Sequence, residues 1–155
     1  MATLKSDQVT NITAEPRVFT NPNEIGRVYR AYFSYTVTGS ETIDTDVIEL
    51  VPLPNGVRVL GGKCVHTDLG SAGDIDMDFG YRGVDGTGGD PDAFTATPIA
   101  GFGAGVGVKD FGVDVVGDFG VEVSGDSYLV ASPLDGGSGV IQAGSIKGYV
   151  DYLNG

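Results

Sequence analysis

The strongest structural signal is at residues 27–37, which read Arg27-Val28-Tyr29-Arg30-Ala31-Tyr32-Phe33-Ser34-Tyr35-Thr36-Val37. β-Branched and aromatic residues of this kind favour strands, on which side chains alternate between two faces. We expect one face to pack on the core, namely Tyr29, Ala31, Phe33, Tyr35 and Val37. The other face carries the more polar set Val28, Arg30, Tyr32, Ser34 and Thr36. The stretch therefore predicts one long strand against which the rest of the domain packs.

Further strand patterns follow, each bounded by Gly, Pro, Asn or Asp. They cover residues 46–51, 57–69, 74–81, 108–116, 119–123, 127–132 and 145–153. No stretch of about 12 residues combines helical spacing with helix caps. Seven or eight short strands without crossover helices predict an all-β fold, an antiparallel β-sandwich resembling a jelly roll. We expect its core to contain Tyr29, Phe33, Tyr35, Val59, Ile75, Met77, Phe79, Val121, Val130, Ile146 and Val150.

Glycines and aspartates mark three further features. Gly61-Gly62, inside a strand pattern, predicts a bulge or a bend by which a strand passes between the two sheets. Gly117-Asp118 and Gly125-Asp126, at short spacing, favour antiparallel hairpins. The segment Gly83 to Gly107 is rich in Gly, Asp and Pro, and it predicts a long, exposed loop with at most one short strand.

Residues 1–26 form a separate region before the sandwich domain of residues 27–155. Prolines and asparagines break any periodicity, yet five hydrophobic residues are scattered along the region: Leu4, Val9, Ile12, Val18 and Phe19. A frayed terminus is one interpretation. A purely solvating tail would not normally carry so many apolar residues. We therefore predict an extended arm that lies on another surface, outside the sandwich of its own subunit.

The charge of the chain restricts its partners. Nine Lys and Arg stand against 21 Asp and Glu, which gives a formal net charge of −12. Nucleic acid is an unfavourable ligand for such a chain, because phosphate binding requires neutralisation by basic residues. The start of the sequence has no apolar signal region, and no run of about 18 apolar residues follows. We expect a protein that binds neither nucleic acid nor membranes.

Two acidic clusters are the candidates for a metal site. Asp74, Asp76 and Asp78 alternate ahead of a glycine, and carboxylate oxygens are the ligands that Ca²⁺ prefers. The intervening residues are apolar in the manner of a strand, so a solvated strand face is the stronger interpretation. A second cluster, Asp85, Asp90 and Asp92, reads as a solvated loop. We expect no required metal, with the first three aspartates as weak candidates.

The remaining reactive residues predict no catalytic centre and no cofactor. Cys64 and His66 are two residues apart on a strand, which separates them by about 7 Å. No third group orients them, so we interpret both as structural residues.

The glycine run 101–107 lacks the strand, helix and lysine of a phosphate loop, and packing around Phe102 explains it better. Five tyrosines could stack on sugars, although packing is the simpler role: Tyr29, Tyr32, Tyr35, Tyr149 and Tyr152.

Taken in order, several segments resemble small virion structural proteins of tailed bacteriophages, the capsid decoration or cement proteins. The segments are 6–8 in the arm, 26–37, 54–60, the strand 74–81 and the closing Ile146-Lys147-Gly148-Tyr149-Val150-Asp151-Tyr152. The resemblance implies a non-enzymatic β-sandwich on the outer surface of the head. It also implies a homotrimer or dimer that clamps neighbouring major capsid protein subunits.

Two other functions use the same architecture, because a fold does not determine function. One is a carbohydrate-binding or receptor-binding module of a phage tail or fibre, and it stays open. The other is a jelly-roll enzyme of the cupin type, which needs several metal-binding histidines. His66 is the single histidine of the sequence, so this second alternative is discarded.

Overall fold

A computed structural model describes residues 27–71, 73–112, 120–137 and 139–154 of the chain. These residues form nine strands and no helix, which confirms the predicted all-β class. The strands are β1 (Val28–Val37), β2 (Ile48–Leu53), β3 (Arg58–His66), β4 (Ile75–Gly83), β5 (Gly89–Asp90), β6 (Gly107–Phe111), β7 (Val121–Glu122), β8 (Ser127–Asp135) and β9 (Gly144–Leu153). The predicted arm, residues 1–26, lies outside the described residues.

The strands form two antiparallel sheets. The first sheet has the order β1-β9-β3-β6, with β7 also paired to β3, and the second has the order β2-β8-β4-β5. Successive strands β1 to β4 alternate between the sheets, and β8 and β9 do the same at the other end of the chain. This winding is that of a jelly roll, so the predicted sandwich architecture is confirmed.

The predicted hairpin at Gly125-Asp126 is wrong. This step connects β7, which pairs with β3 in the first sheet, to β8, which pairs with β2 and β4 in the second sheet. A turn residue reverses the direction of the chain but does not determine which strand edge the chain joins next. The step at Gly117-Asp118 lies outside the described residues.

The core lies between the sheets and follows the predicted alternation. Ile75, Met77 and Phe79 of β4 are fully buried, and the ring of Phe79 stacks on Phe111 with 4.5 Å between centroids. Burial of each such side chain contributes about 1.5–3 kcal/mol. The predicted residues Phe33, Val59, Ile146 and Val150 are also buried, whereas Tyr35 and Val121 are partly buried against the core.

Tyr29 differs from the prediction, because it is 37% exposed. Its position in the alternation is that of a core residue, and its ring stacks on Tyr152 with 5.8 Å between centroids. The first three residues of β1 are all exposed, so the strand begins beyond the covered part of the core.

The glycine pair in β3 forms the predicted bulge. The register between β3 and β9 shifts between Val59 and Gly61, and Gly61 has φ +137, which favours glycine. A Cβ on Gly62 would overlap the ring of Phe111 and the carbonyl oxygen of Tyr149. The predicted passage between sheets is wrong, since β3 pairs with β9 before and after the bulge and stays in the first sheet.

The segment after β4 is largely exposed, as predicted, but a few of its residues pack against the second sheet. Phe94 and Phe102 are buried. Phe94 N–H donates to the Phe79 carbonyl at 2.9 Å, and Ile99 and Met77 exchange two backbone hydrogen bonds at 2.9 Å. The segment therefore lies along the edge of β4. The backbone N–H and C=O groups of that edge could otherwise form hydrogen bonds with a strand of another chain. β5 is the one short strand that was expected within it.

The same segment explains the burial of Val130. Its neighbours Leu129 and Ala131 belong to the core cluster, so alternation directs Val130 to the solvent side of the second sheet, and the predicted inward orientation is wrong. Val130 lies opposite Gly80, across which the backbone of residues 90–91 passes in close contact. This crossing covers the sheet at that point.

β2 extends two residues further than predicted, through Pro52 to Leu53. Proline removes a backbone donor, but β2 is an edge strand of the second sheet, where one side of the strand has no ladder partner.

Candidate interaction face

The outer face of the first sheet combines exposed apolar, aromatic and charged side chains. We define this outer face as the outward-pointing residues of the sheet: Val28, Arg30, Tyr32, Ser34 and Thr36 of β1, Ser145, Lys147, Tyr149, Asp151 and Leu153 of β9, Arg58, Gly61, Lys63 and Val65 of β3, Val108 and Asp110 of β6, and Glu122 of β7. The opposite face of the same strands packs on the core.

Cross-strand ion pairs order the charged residues of the outer face. Arg30 lies directly opposite Asp151 and donates two hydrogen bonds to its carboxylate, at 2.7 and 2.8 Å. Lys63 lies opposite Asp110, and the two side chains are 2.9 Å apart. Hydrogen bonds to these carboxylates raise the pKa of Arg30 and of Lys63. Such exposed pairs contribute little to stability because water screens them, but they compensate the charges within the face.

A third pair extends the series to β7. Arg58 and Glu122 are register partners, and their side chains approach to 3.5 Å. Each of the three ion pairs thus joins residues directly opposite one another on adjacent strands.

An aromatic cluster lies at the β1 side of the outer face. The guanidinium carbon of Arg30 is 3.6 Å from the ring centroid of Tyr149, a cation–π contact. Tyr32 meets the same ring edge-on, with 6.3 Å between centroids. Tyr32 is nevertheless 73% exposed, so its ring presents apolar surface to solvent.

A depression of about 330 Å³ lies beside this cluster. It is lined by Val28, Leu60, Gly61, Gly62, Tyr149 and Asp151. Gly61 lies opposite Asp151 at the register shift of the bulge, and a Cβ there would lie 2.7 Å from the Phe111 carbonyl oxygen, so the position admits no side chain. The bulge at the glycine pair therefore also shapes the outer face.

The β6 side of the face carries two exposed valines next to the Lys63–Asp110 ion pair. Val65 and Val108 are register partners, and 46% and 56% of their surfaces are exposed. With Val28 and Tyr32 they are four of the eight large hydrophobic residues that are exposed in the described part of the chain. Mixed apolar, aromatic and Arg-containing surfaces of this kind are typical of protein–protein interfaces.

The outer face also differs in charge from the rest of the chain. It carries four basic side chains, Arg30, Arg58, Lys63 and Lys147, against the acidic Asp110, Glu122 and Asp151, a net charge of +1. The remaining 5 basic and 18 acidic residues of the chain sum to −13. The outer face is therefore nearly neutral in a strongly acidic protein.

Two of the three candidate metal ligands, Asp74 and Asp78, have separate hydrogen-bond partners, whereas the buried Oδ1 of Asp76 has none among the described residues. Asp74 accepts hydrogen bonds from the backbone N–H of Ile75 and Gly103 at 2.9 and 3.1 Å, and Asp78 accepts one from the Thr95 hydroxyl at 2.9 Å. Burial raises the pKa of Asp76 and of Asp78. No group of three or more His, Cys, Asp or Glu side chains is placed to hold a metal ion in the described ranges.

Side chains of the second acidic cluster form hydrogen bonds within their own loop. Asp85 accepts hydrogen bonds from the backbone N–H and hydroxyl of Thr87 at 2.9 and 2.8 Å, which lower its pKa. A hydrogen bond with Asp92 raises the pKa of Asp90.

Cys64 and His66 are both buried, although His66 is only partly satisfied, because its buried Nε2 has no hydrogen-bond partner among the described residues. Burial raises the pKa of the Cys64 thiol to about 12, so the thiol is protonated at neutral pH. The His66 ring lies 4.3 Å from Phe102 between centroids, its Nδ1 is 2.8 Å from the Thr67 carbonyl oxygen, and burial lowers its pKa. The glycine run 101–107 allows the backbone to pack closely on neighbouring segments, because a Cβ on Gly103 would lie 2.8 Å from the Gly73 carbonyl oxygen.

Alternation along β1 and β9 already separates the polar residues of the outer face from the core residues. The pairing of Arg30 with Asp151, the adjacency of Tyr32 and Tyr149, and the depression at Gly61 depend on strand order, which no local signal contains. The expected arm contacts Leu4, Val9, Ile12, Val18 and Phe19 lie outside the described residues.

The fold is similar to that of two phage capsid chains. A chain of the capsid of Ralstonia phage GP4 has a TM-score of 0.59 and 20% identity, over 83% of this chain and 85% of that chain. A chain of the cyanophage Pam1 capsid asymmetric unit has a TM-score of 0.51 and 15% identity, over 84% of this chain and 86% of that chain. The similarity extends over most of each chain and supports the sandwich architecture.

No protein-family model matches the chain, and no curated protein matches it in sequence. The described residues contain no helix long and apolar enough to cross a membrane.

Proposed function

We propose that this protein is a virion structural protein that decorates the outer surface of a tailed-phage capsid and stabilises contacts between major capsid protein subunits. The observation that carries the proposal is the similarity of its fold to chains of two phage capsids over more than four-fifths of each chain. The resemblance of its sequence segments to decoration proteins points in the same direction.

The arm supports this role. Residues 1–26 could span up to about 85 Å when extended, well beyond the roughly 40 Å diameter of a domain of this size. Its hydrophobic residues can pack on a capsid that presents the same site many times. In an oligomer, several arms bind together, so weak individual contacts give a high overall avidity. A homotrimer suits three-fold positions on a capsid, and a dimer suits two-fold positions, because a symmetric oligomer matches the symmetry of its site.

The stabilising effect follows from mass action. A protein that binds the assembled capsid, but not its dissociated subunits, lowers the free energy of the assembled state at every occupied site. We therefore expect decorated heads to rupture at a higher temperature than undecorated heads.

The test is to mix the purified protein with undecorated heads assembled from the cognate major capsid protein and to image them by electron cryo-microscopy. We expect density that repeats over the outer surface. Density confined to the tail or a fibre tip would contradict the proposal and favour a receptor-binding module. Absence of density combined with binding to a glycan array would favour a carbohydrate-binding module, for which the 73% exposed Tyr32 is a suitable stacking platform.

A matched pair of variants tests the arm. Ile12→Asp with Phe19→Asp places two charges at apolar arm positions, and Asn11→Asp with Thr20→Asp places the same charges at adjacent polar positions. We expect the first variant to lose most of its density on heads and the second to retain it. Equal binding by both variants would contradict a role for the apolar arm residues.

A further inference from the structure

We propose that the outer face of the first sheet is the surface through which two copies of this chain associate. Three properties of that face favour a second copy over other partners: its charge, its shape and its area. The proposal rests on the proposed function, in which the protein acts as a homotrimer or a dimer, and selects the dimer. It is testable in solution without capsids.

The charge of the face favours self-association. Two copies with a net charge of −12 each repel one another, so they approach most easily through surfaces with little net charge. The outer face has a net charge of +1, and six of its seven charged side chains belong to the three ion pairs. Charges that are already paired leave few uncompensated groups when the face is covered. A strongly charged partner would gain little from this face, whereas an equally neutral copy suits it.

The shape of the face is self-complementary. It carries a protruding ring, Tyr32, and a depression at Gly61, separated by roughly 10 Å at the spacing of strands and residues in a sheet. A two-fold axis midway between them would place the Tyr32 ring of each copy over the depression of the other. A two-fold interface requires this property, since the same surface serves both partners. Aromatic residues that enter a pocket near the centre of an interface commonly dominate its binding energy.

The area of the face is sufficient for a specific interface. The five strands of the sheet contain 36 residues, which at about 3.3 Å along a strand and about 4.8 Å between strands cover roughly 570 Å² on each copy. Together the two copies would bury about 1,100 Å², which exceeds the roughly 1,000 Å² that a specific interface needs. The exposed residues Val28, Val65 and Val108 would extend the apolar contact around the ring.

The experiment measures oligomeric state by analytical ultracentrifugation of the full chain over a range of concentrations. We expect the native chain to form dimers and Tyr32→Glu to raise the dissociation constant at least tenfold. Val65→Glu, on the other side of the same face, should act in the same direction. Val84→Glu is the matched control, because Val84 is 54% exposed and follows β4 of the second sheet. Near-ultraviolet circular dichroism checks that each variant is folded.

Two outcomes would overturn the proposal. The native chain could remain monomeric at all concentrations, or the Tyr32→Glu and Val84→Glu variants could dimerise equally. If a monomeric native chain binds heads and Tyr32→Glu does not, the face belongs to a capsid subunit, and the proposed function is left intact. Dimers that fail to bind heads would instead contradict the proposed function and leave this inference intact.

Discussion

Glu41 closes the turn after β1, and its substitution gives a prediction with a defined pH dependence. Its carboxylate accepts hydrogen bonds from the backbone N–H of Thr38 at 2.9 Å and of Gly39 at 2.8 Å, and from the hydroxyl of Tyr35 at 2.9 Å. Burial alone would raise the pKa of this carboxyl, but hydrogen bonds from the backbone of Thr38 and Glu41 and from the hydroxyls of Tyr35 and Thr38 outweigh it and lower the pKa from 4.5 to about 2.

The magnitude follows from linkage between protonation and folding. A shift of this size corresponds to about 3 kcal/mol at 1.36 kcal/mol per pKa unit. Water screens this partly exposed carboxylate, so we reduce the expected contribution to about 1 kcal/mol. Because the pKa is lower in the folded state, the stabilisation is complete above pH 4.5 and is lost as the pH falls from about 4.5 to about 2.

The perturbation is Glu41→Gln, which preserves the shape of the side chain but replaces one accepting oxygen with an amide donor. Urea unfolding followed by tyrosine fluorescence gives the free energy of unfolding at pH 7, 5, 4 and 3. We expect the variant to be less stable than the native protein by about 1 kcal/mol at pH 7, with a difference that shrinks towards pH 3.

Glu49→Gln is the matched control, because it removes the same charge from an exposed position on β2. This control accounts for the reduced repulsion in a chain of charge −12. A difference between the native protein and Glu41→Gln that stays constant from pH 7 to pH 3, or that grows as the pH falls, would refute the electrostatic explanation.

Two further predictions concern the core and the acidic strand. Gly62→Ala should lower the free energy of unfolding by about 2 kcal/mol, because its methyl group overlaps both the Phe111 ring and the Tyr149 carbonyl oxygen. Phe111→Leu relieves only the first overlap, so the double variant should lose somewhat less than the sum of the single variants, and additive urea-unfolding values would contradict the contact with Phe111. Adding EDTA should leave the Tm unchanged in calorimetry, and a drop that Ca²⁺ reverses would instead support a metal site at Asp74, Asp76 and Asp78.

Most of the strands could be assigned from local patterns in the sequence. The alternation in residues 27–37 predicted β1 and its core residue Phe33, and the alternation in residues 74–81 predicted the burial of Ile75, Met77 and Phe79. The glycine pair predicted the bulge in β3. These signals are local because side-chain alternation and backbone strain depend on neighbouring residues alone.

Only part of the outer face could be predicted from the sequence. Alternation along β1 and β9 indicated that Arg30, Tyr32, Tyr149 and Asp151 point away from the core. Their distances could not follow, since Arg30 and Asp151 are 121 residues apart in the chain and meet only because β9 is the partner of β1. The depression could not be predicted either, because it depends on a bulge, on a position without a side chain and on two neighbouring strands.

The amino-acid sequence by itself determined the fold class, the strand that begins the domain, the acidic balance of the chain and the residues that alternate into the core. Only the tertiary structure decided the strand order, the packing of Phe94 along the second sheet, and the side of that sheet on which Val130 is buried. The physical reason is that burial and pairing depend on what packs across a strand. Each strand of a jelly roll takes its partners from distant parts of the chain, so turn residues that predict a hairpin cannot specify the edge that the chain joins.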